Sequence, residues 1–207
     1  MNATYYTYFN NKSLIYDHVE YNIGFNLSNG LKFTDKNNIA HYLEYDSIYI
    51  AEIIISKDIQ VYKDPIKMNT WTCNYFYINK LYTINVWNGW NNKRIRTTAV
   101  ENNCHVIRWI PNKYITDELY LLAINRGYSL YNVPEEFKTE PVCRAAIHNN
   151  YYEISLIPEK FITEALYISI IKRGYPLQFV PEKFKTKELC EIAIDLNKHA
   201  MEYTQRI

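Results

Sequence analysis

A short phrase recurs four times in the second half of the chain, and it constrains the fold more than any other feature of the sequence. Each copy starts with isoleucine or valine followed by proline, carries an aromatic residue three positions after the proline, and ends in threonine. The copies occupy residues 110–116, 133–139, 157–163 and 180–186. Their prolines are 23, 24 and 23 residues apart, and a fixed spacing of this kind predicts stacked structural repeats.

The threonine that ends each phrase is expected to cap a helix, because acidic residues and a helical apolar stripe follow it. These caps are Thr116, Thr139, Thr163 and Thr186. The stripes comprise Leu119, Ala123 and Ile124, then Val142, Ala146 and Ile147, then Leu166, Ile170 and Ile171, then Leu189, Ala193 and Ile194. Glycine and asparagine tolerate a left-handed backbone, so we expect four such residues to close the helices in that conformation. They are Gly127, Asn150, Gly174 and Asn197.

The closing residue alternates between glycine and asparagine, so the full repeat is a pair of units 47 residues long. The sequence therefore predicts an α+β chain with two parts. A small mixed α/β domain is expected over residues 1–84, followed by an all-α solenoid of short helical repeats over residues 85–207. The repeat units are expected at about 86–109, 110–132, 133–156, 157–179 and 180–207.

The unit at 86–109 becomes visible when the 47-residue period is projected backwards. Asn92 takes the place of the helix cap, Asn103 closes the unit, and the stripe consists of Ile95, Ala99 and Val100. This unit departs from the others in two places. Trp87 stands where the others have proline, and Arg96 stands where later pairs have Cys143 and Cys190.

The N-terminal part combines strand and helix signals. Alternating or β-branched stretches predict strands at residues 4–9, 21–27, 31–33, 47–56, 58–62 and 72–78, the last with a possible extension to 84. The stretch 47–56 is the most hydrophobic and is expected to be the central strand. Residues 28–30 predict a turn. Residues 38–43 predict a short helix, with Thr34 or Asp35 as its cap.

Two parts of the sequence resemble known families. The phrases GLKFTD at 30–35, NIAHYLEY at 38–45 and IYIAEIII at 48–55 resemble the N-terminal domain that precedes ankyrin and other repeats in large DNA viruses of amoebae. The recurring phrase resembles domain-of-unknown-function family 4116, which is common in giant viruses of amoebae. That second resemblance implies a helical repeat with no established activity, so it assigns no catalytic residue.

Composition narrows the functional class. The formal net charge of +1 gives no long-range attraction to nucleic acid or to an anionic membrane. No apolar run approaches the roughly 18 residues that a membrane-spanning helix needs. The first residues lack the pattern of a secretory signal, so none is expected, and the cysteines lack metal-type spacing. Cys73, Cys104, Cys143 and Cys190 are expected to be reduced and structural. We therefore expect an intracellular protein of the host cytoplasm or the virion, without cofactor or metal.

The leading functional hypothesis is a non-catalytic module whose repeats bind a viral or host protein. The first alternative is an enzyme with a nucleotide-type site, because a Gly-x-x-Phe-Thr strand followed by a helix loosely resembles ADP-ribosyltransferases. The late catalytic glutamate of that superfamily has no counterpart here, since no glutamate occurs between residues 65 and 84. The remaining ionisable candidates, His18, His41 and Glu52, are scattered along the sequence.

The second alternative is weak nucleic-acid binding through the segment around the first repeat helix. Lys93, Arg94 and Arg96 lie there beside Trp87 and Trp90. A solvated first helix is the favoured interpretation of this cluster, and under the alternative these five residues form the expected interaction surface. From Pro111 onward the array has 12 Lys and Arg against 13 Asp and Glu, which argues against a broad basic face. The basic residues that precede the closing glycines are expected to complement helix C-termini. They are Arg126, Lys172 and Arg173.

Overall fold

The computed structural model describes residues 3–9, 15–16, 19–21, 23–27, 31–43 and 49–204. It is a mixed α/β structure in which strands occur up to Thr83 and helices follow. The chain forms two compact units, Met1–Arg126 and Gly127–Ile207. His18 and the turn expected at 28–30 lie outside the described residues.

Eight strands are present among the described residues, and four of them form the main sheet. They are β1 Ala3–Phe9, β2 Ile15–Tyr16, β3 Val19–Glu20, β4 Gly24–Leu27, β5 Tyr49–Ile55, β6 Val61–Lys63, β7 Trp71–Cys73 and β8 Tyr75–Thr83. The main sheet is antiparallel with the order β1-β5-β8-β4. The remaining strands pair as β2 with β3 and β6 with β7.

The predicted central strand is confirmed, since β5 lies between β1 and β8. The bounds of other strands differ from those predicted. The strand expected at 21–27 is limited to β4, and the one expected at 58–62 begins at Val61. The stretch at 31–33 forms only an isolated bridge, of Phe33 with Trp71, and the next residue, Thr34, forms another with Tyr6. The predicted short helix is the 3-10 helix Ile39–His41. Just before this helix, the Asp35 carboxylate accepts hydrogen bonds from the backbone N–H groups of Asn37 and Asn38.

Alternation along β5 directs Ala51, Ile53 and Ile55 into one core. That core also holds aromatic and aliphatic side chains from the strands and loops around it: Phe9, Tyr21, Leu31, Phe33, Cys73, Phe76 and Ile78. Tyr6 belongs to the opposite face of the sheet, where its ring centroid lies 6.2 Å from that of Trp87. This second face is therefore covered beside β1, whereas Tyr75 and Tyr77 of β8 remain exposed.

Over residues 84–204, five α-helices follow the sheet, each eight to ten residues long: α1 Lys93–Asn102, α2 Asp117–Asn125, α3 Glu140–Asn149, α4 Glu164–Ile171 and α5 Lys187–Leu196. Short 3-10 helices connect them. They are Ile84–Val86, Asn88–Asn91, Cys104–Trp109, Asn112–Tyr114, Leu130–Asn132, Glu135–Phe137, Tyr151–Leu156, Glu159–Phe161, Leu177–Phe179, Glu182–Phe184 and Lys198–Tyr203. Each predicted second segment is thus a 3-10 helix.

The predicted caps are confirmed at four of the five α-helices. Asn92, Thr116, Thr163 and Thr186 each accept a hydrogen bond from a backbone N–H of the first helical turn. Thr139 makes no such bond. The next residue but one is Pro141, which supplies no N–H at that end of α3.

The closing residues differ from the prediction in an informative way. Gly127 and Gly174 are left-handed, with φ of 94° and 95°. The asparagines are extended instead, with φ of −146° at Asn103, −144° at Asn150 and −151° at Asn197. Each asparagine side chain accepts a hydrogen bond from the N–H two residues on, so it starts the next helix. The prediction that these asparagines are left-handed was wrong.

This difference gives the two members of a pair distinct geometries. A left-handed glycine is followed by a three-residue 3-10 helix, as at Leu130–Asn132 and Leu177–Phe179. An extended asparagine is followed by a six-residue one, at Cys104–Trp109, Tyr151–Leu156 and Lys198–Tyr203. The local structure therefore repeats with the 47-residue period of the sequence.

The predicted stripes face the interior. Ten of the twelve stripe residues from Leu119 onward are buried, while Leu166 and Ile194 are half-buried. The stripe of the first unit is buried throughout. All four cysteines are buried and unpaired, and burial raises the pKa of the Cys143 thiol to about 11. Their expected role as small buried hydrophobic residues is confirmed.

Replacing Gly174 by alanine is expected to destabilise the fold, because an L side chain at φ +95° costs about 1 kcal/mol. A Cβ at this position would meet no atom within 4 Å, so the cost is conformational and not steric. Gly174→Asn is the matched control, since asparagine tolerates the left-handed region. Urea denaturation of both variants measures the difference. Equal loss in both would contradict the conformational explanation.

Asp64 stabilises the loop between β6 and β7. Its carboxylate lies 2.6 Å from the Lys32 ammonium and accepts hydrogen bonds of 2.8 Å from the backbone of Ile66 and Lys67. The hydrogen bond from Lys32, followed by those from the two backbone N–H groups, holds the pKa of Asp64 well below its usual range. The charged form of this carboxylate is therefore the one that the fold prefers.

Asp64→Asn is expected to lower the midpoint of urea denaturation at pH 7. A carboxyl whose pKa is depressed in the folded state contributes stability above its unfolded pKa of about 3.9, and this stability is lost as pH falls further. The difference in urea-denaturation midpoint between the wild type and the variant should therefore narrow below about pH 4. A gap that stays constant from pH 7 to pH 2.5 would show that the charge of Asp64 is not the cause.

Candidate interaction surfaces

The five residues of the expected interaction surface separate into two environments. Trp87 and Trp90 are 1% and 0% exposed, so neither ring is available to a partner. Their ring centroids lie 5.4 Å apart in an edge-on arrangement. Trp90 Nε1 also donates to the Ile84 carbonyl at 2.5 Å. The prediction that both tryptophans belong to a surface was wrong, because they form part of the core.

The three basic residues of the same segment remain closer to solvent. Lys93 and Arg94 are exposed on the first turn of α1, and Arg96 is half-buried. Arg96 donates from Nη1 to the Trp90 carbonyl, and its guanidinium carbon lies 5.1 Å from the Tyr114 ring centroid. Arg96 therefore holds the buried tryptophan segment to the helix, whereas Lys93 and Arg94 are available to a partner.

A groove of about 260 Å³ runs between α1 and α2 beside these residues. Lys93 and Glu118 lie at its polar side, and Leu119 and Leu122 supply an apolar wall. A hydrogen bond from Thr116 lowers the pKa of Glu118, and the positive charge of Lys93 lowers it further. The groove thus combines one exposed cation, one exposed anion and an aliphatic surface.

The same groove exists 47 residues later in the second compact unit, but it is nearly closed. Its volume is about 10 Å³, and Cys143 occupies the position that corresponds to Arg96. Glu140 takes the place of Lys93, and Arg144 lies 2.7 Å from it in an ion pair. The larger groove therefore coincides with the arginine that the sequence shows to be a departure from the repeat.

The ionisable residues of the sheet region have separate partners. His41 Nδ1 lies 3.1 Å from Asn102 Nδ2, and Glu52 accepts a hydrogen bond of 2.6 Å from Asn79. Burial, followed by the charge of Glu52, raises the pKa of Tyr6 to about 12. Among the described residues, no group of three or more His, Cys, Asp and Glu side chains could hold a metal ion. These polar groups hydrogen-bond within the first unit itself.

Comparisons with known proteins add no further assignment. A scan of family models, a search of curated proteins and a search of solved structures each returned no match to this chain. Within the described ranges, none of the helices has the length and apolar character needed to cross a membrane.

Arg96→Met is expected to destabilise the fold by about 1–2 kcal/mol, because it leaves the buried Trp90 carbonyl without the guanidinium donor. Methionine keeps an unbranched apolar stem, so packing on Tyr114 changes little. Arg94→Met, at the neighbouring exposed position, should change stability by less than about 0.5 kcal/mol. The two variants are compared by urea denaturation. Indistinguishable stabilities would show that the contact to Trp90 carries no weight.

Proposed function

We propose that this chain is a non-catalytic interaction module, and that its helical repeats form a solenoid that binds a protein partner through the groove between α1 and α2. The observation that carries the proposal is the contrast between this groove and its closed counterpart 47 residues later. Arg96 has a packing role, because it binds the Trp90 carbonyl, but packing does not account for the open volume beside it or for the exposed Lys93.

The chemistry of the groove indicates the kind of partner segment that fits. Lys93 offers an exposed positive charge at the polar side of the groove, and the α2 leucines offer an apolar wall. Arg94 adds a second exposed positive charge on the same turn of α1, outside the groove lining. A segment with an acidic side chain next to an aliphatic one matches both features. Rim charges of this kind act mainly on association rate and specificity. The setting in a large DNA virus, with a viral or host partner, rests on the sequence resemblances.

The weak nucleic-acid alternative has less support than the protein partner. Both tryptophans are buried, so they cannot stack on bases. Lys93 and Arg94 alone would provide two phosphate contacts, and so few contacts support only weak, salt-sensitive binding.

The test uses the full-length chain immobilised in a lysate of infected host cells, followed by quantitative proteomics. The double variant Lys93→Glu, Arg94→Glu should lose a protein that the wild type retains. Lys187→Glu is the matched control, because Lys187 is exposed at the same repeat position of α5. With the purified partner, the double reversal should weaken binding at least about tenfold.

Two results would overturn the proposal. Equal retention of every captured protein by the wild type and the double variant would exclude this groove. Capture that disappears after nuclease treatment would show that the cations bind nucleic acid, in favour of the alternative.

A further inference from the structure

The last repeat unit presents an open face on the second compact unit. A groove of about 460 Å³ runs along α4, α5 and the 3-10 helix Lys198–Tyr203. Met201, in the same 3-10 helix, is 56% exposed, although Ile107 and Ile154 are 1% and 3% exposed at the same position of the earlier pairs. The side chain that is part of the core in two pairs is therefore at the surface in the third.

The equivalent face 47 residues earlier shows what such a groove receives. The guanidinium of Arg173 donates to the carbonyls of Ile147 and His148, at 2.8 and 2.7 Å. The ring centroid of Tyr175 lies 5.9 Å from that of Tyr151. Left-handed Gly174 separates the two side chains and turns the chain between them. An Arg-Gly-Tyr turn thus covers the end of α3.

Two acceptors at the end of α5 match those used by Arg173. Ile194 and Asp195 occupy the positions of Ile147 and His148, one repeat pair later. In the part of the chain that the structure describes, no side chain donates to their carbonyl groups. The C-terminal end of a helix favours a cation. The end of α5 therefore offers a binding position for a guanidinium.

Substitutions at the open face favour a positively charged segment. Glu191 replaces Arg144, Asp195 replaces His148 and Glu202 replaces Ser155, so three positions become more negative than in the internal pair. All three acidic side chains are exposed. Two positions change in the opposite sense, since Lys198 replaces Tyr151 and Ala200 replaces Glu153, so the net change at this face is still toward negative charge. His199 retains a planar ring where the internal pair has Tyr152.

The apolar content of the face also changes. Leu196 is 59% exposed, and the equivalent positions in the two earlier pairs are Asn102 and Asn149. An exposed leucine in place of a repeated asparagine adds apolar area beside the groove. The internal contact is made within one chain, at a high effective concentration, so it can be weak. A contact with a separate molecule needs more affinity, which the leucine and the acidic residues supply.

We propose that this open face binds a segment of another polypeptide that carries an Arg-Gly-aromatic turn, in the manner in which the Arg173–Tyr175 turn binds the end of α3. The guanidinium binds the carbonyls of Ile194 and Asp195, and the aromatic ring packs at His199. The apolar residue that follows the turn covers Met201. This surface shares no lining residue with the α1–α2 groove, so each proposal can be tested without the other.

The probe is a fluorescein-labelled peptide of residues 168–180, which contains the chain's own Arg-Gly-Tyr turn, titrated into the full-length protein and followed by anisotropy. We expect saturable binding that Arg173→Ala in the peptide weakens at least about tenfold, because a hydrogen-bonded charged group is lost. Leu196→Asn with Asp195→Lys in the protein should weaken it similarly. These positions are exposed, and circular dichroism checks that the variant remains folded.

His148→Asp in the protein is the matched control, because the internal face is already occupied by Arg173. It should leave peptide binding unchanged. Three results would overturn the proposal: no binding at about 1 mM peptide, equal affinity of the Arg173→Ala peptide, or equal affinity of the Leu196, Asp195 variant. Loss of binding in the His148→Asp protein alone would place the peptide at the internal face and also reject it.

Discussion

The end of a short helix is the constraint on which the second half of this chain depends. A helix of eight to ten residues leaves four N–H and four C=O groups without intrahelical partners, which is a large share of its backbone. Threonine and asparagine side chains satisfy part of this deficit at fixed positions, and the 3-10 helices between the α-helices satisfy more. The capping residues recur in the sequence because the same deficit recurs in every unit. The periodicity of the sequence thus reflects a hydrogen-bonding requirement that recurs in every unit.

Most of what could be predicted from the sequence depended on neighbours close in the chain. The caps and the apolar stripes are set by residues within one or two turns, and the structure has them except for the cap at Thr139. The backbone conformation of Asn150 could not be predicted in this way, because asparagine suits both a left-handed closing position and an extended capping position. The following 3-10 helix, which offers the N–H of Tyr152, decides between them. Glycine has no side-chain acceptor, so Gly174 keeps the left-handed conformation.

The tryptophans show a second limit of local reasoning. An aromatic residue beside lysine and arginine has the same pattern whether it faces solvent or the interior. Trp87 lies against Tyr6, more than eighty positions earlier in the chain, and no local signal reports that contact. The candidate grooves were accessible to sequence reasoning only as departures from the repeat. Arg96 in place of cysteine and Leu196 in place of asparagine each coincide with an open volume in the structure. A deviation from a well-defined repeat therefore indicates where the surface differs, although not what binds there.

The alternation of left-handed glycine and extended asparagine has a consequence for how such a chain can change in length. The two residue types are followed by 3-10 helices of three and six residues, so neighbouring units are not interchangeable. Loss of a single unit would join two segments of the same type and bring unmatched surfaces together. Gain or loss of a complete pair preserves every junction. Insertions and deletions that keep this architecture intact should accordingly occur in multiples of the pair, and tandem duplication is the genetic event that supplies them.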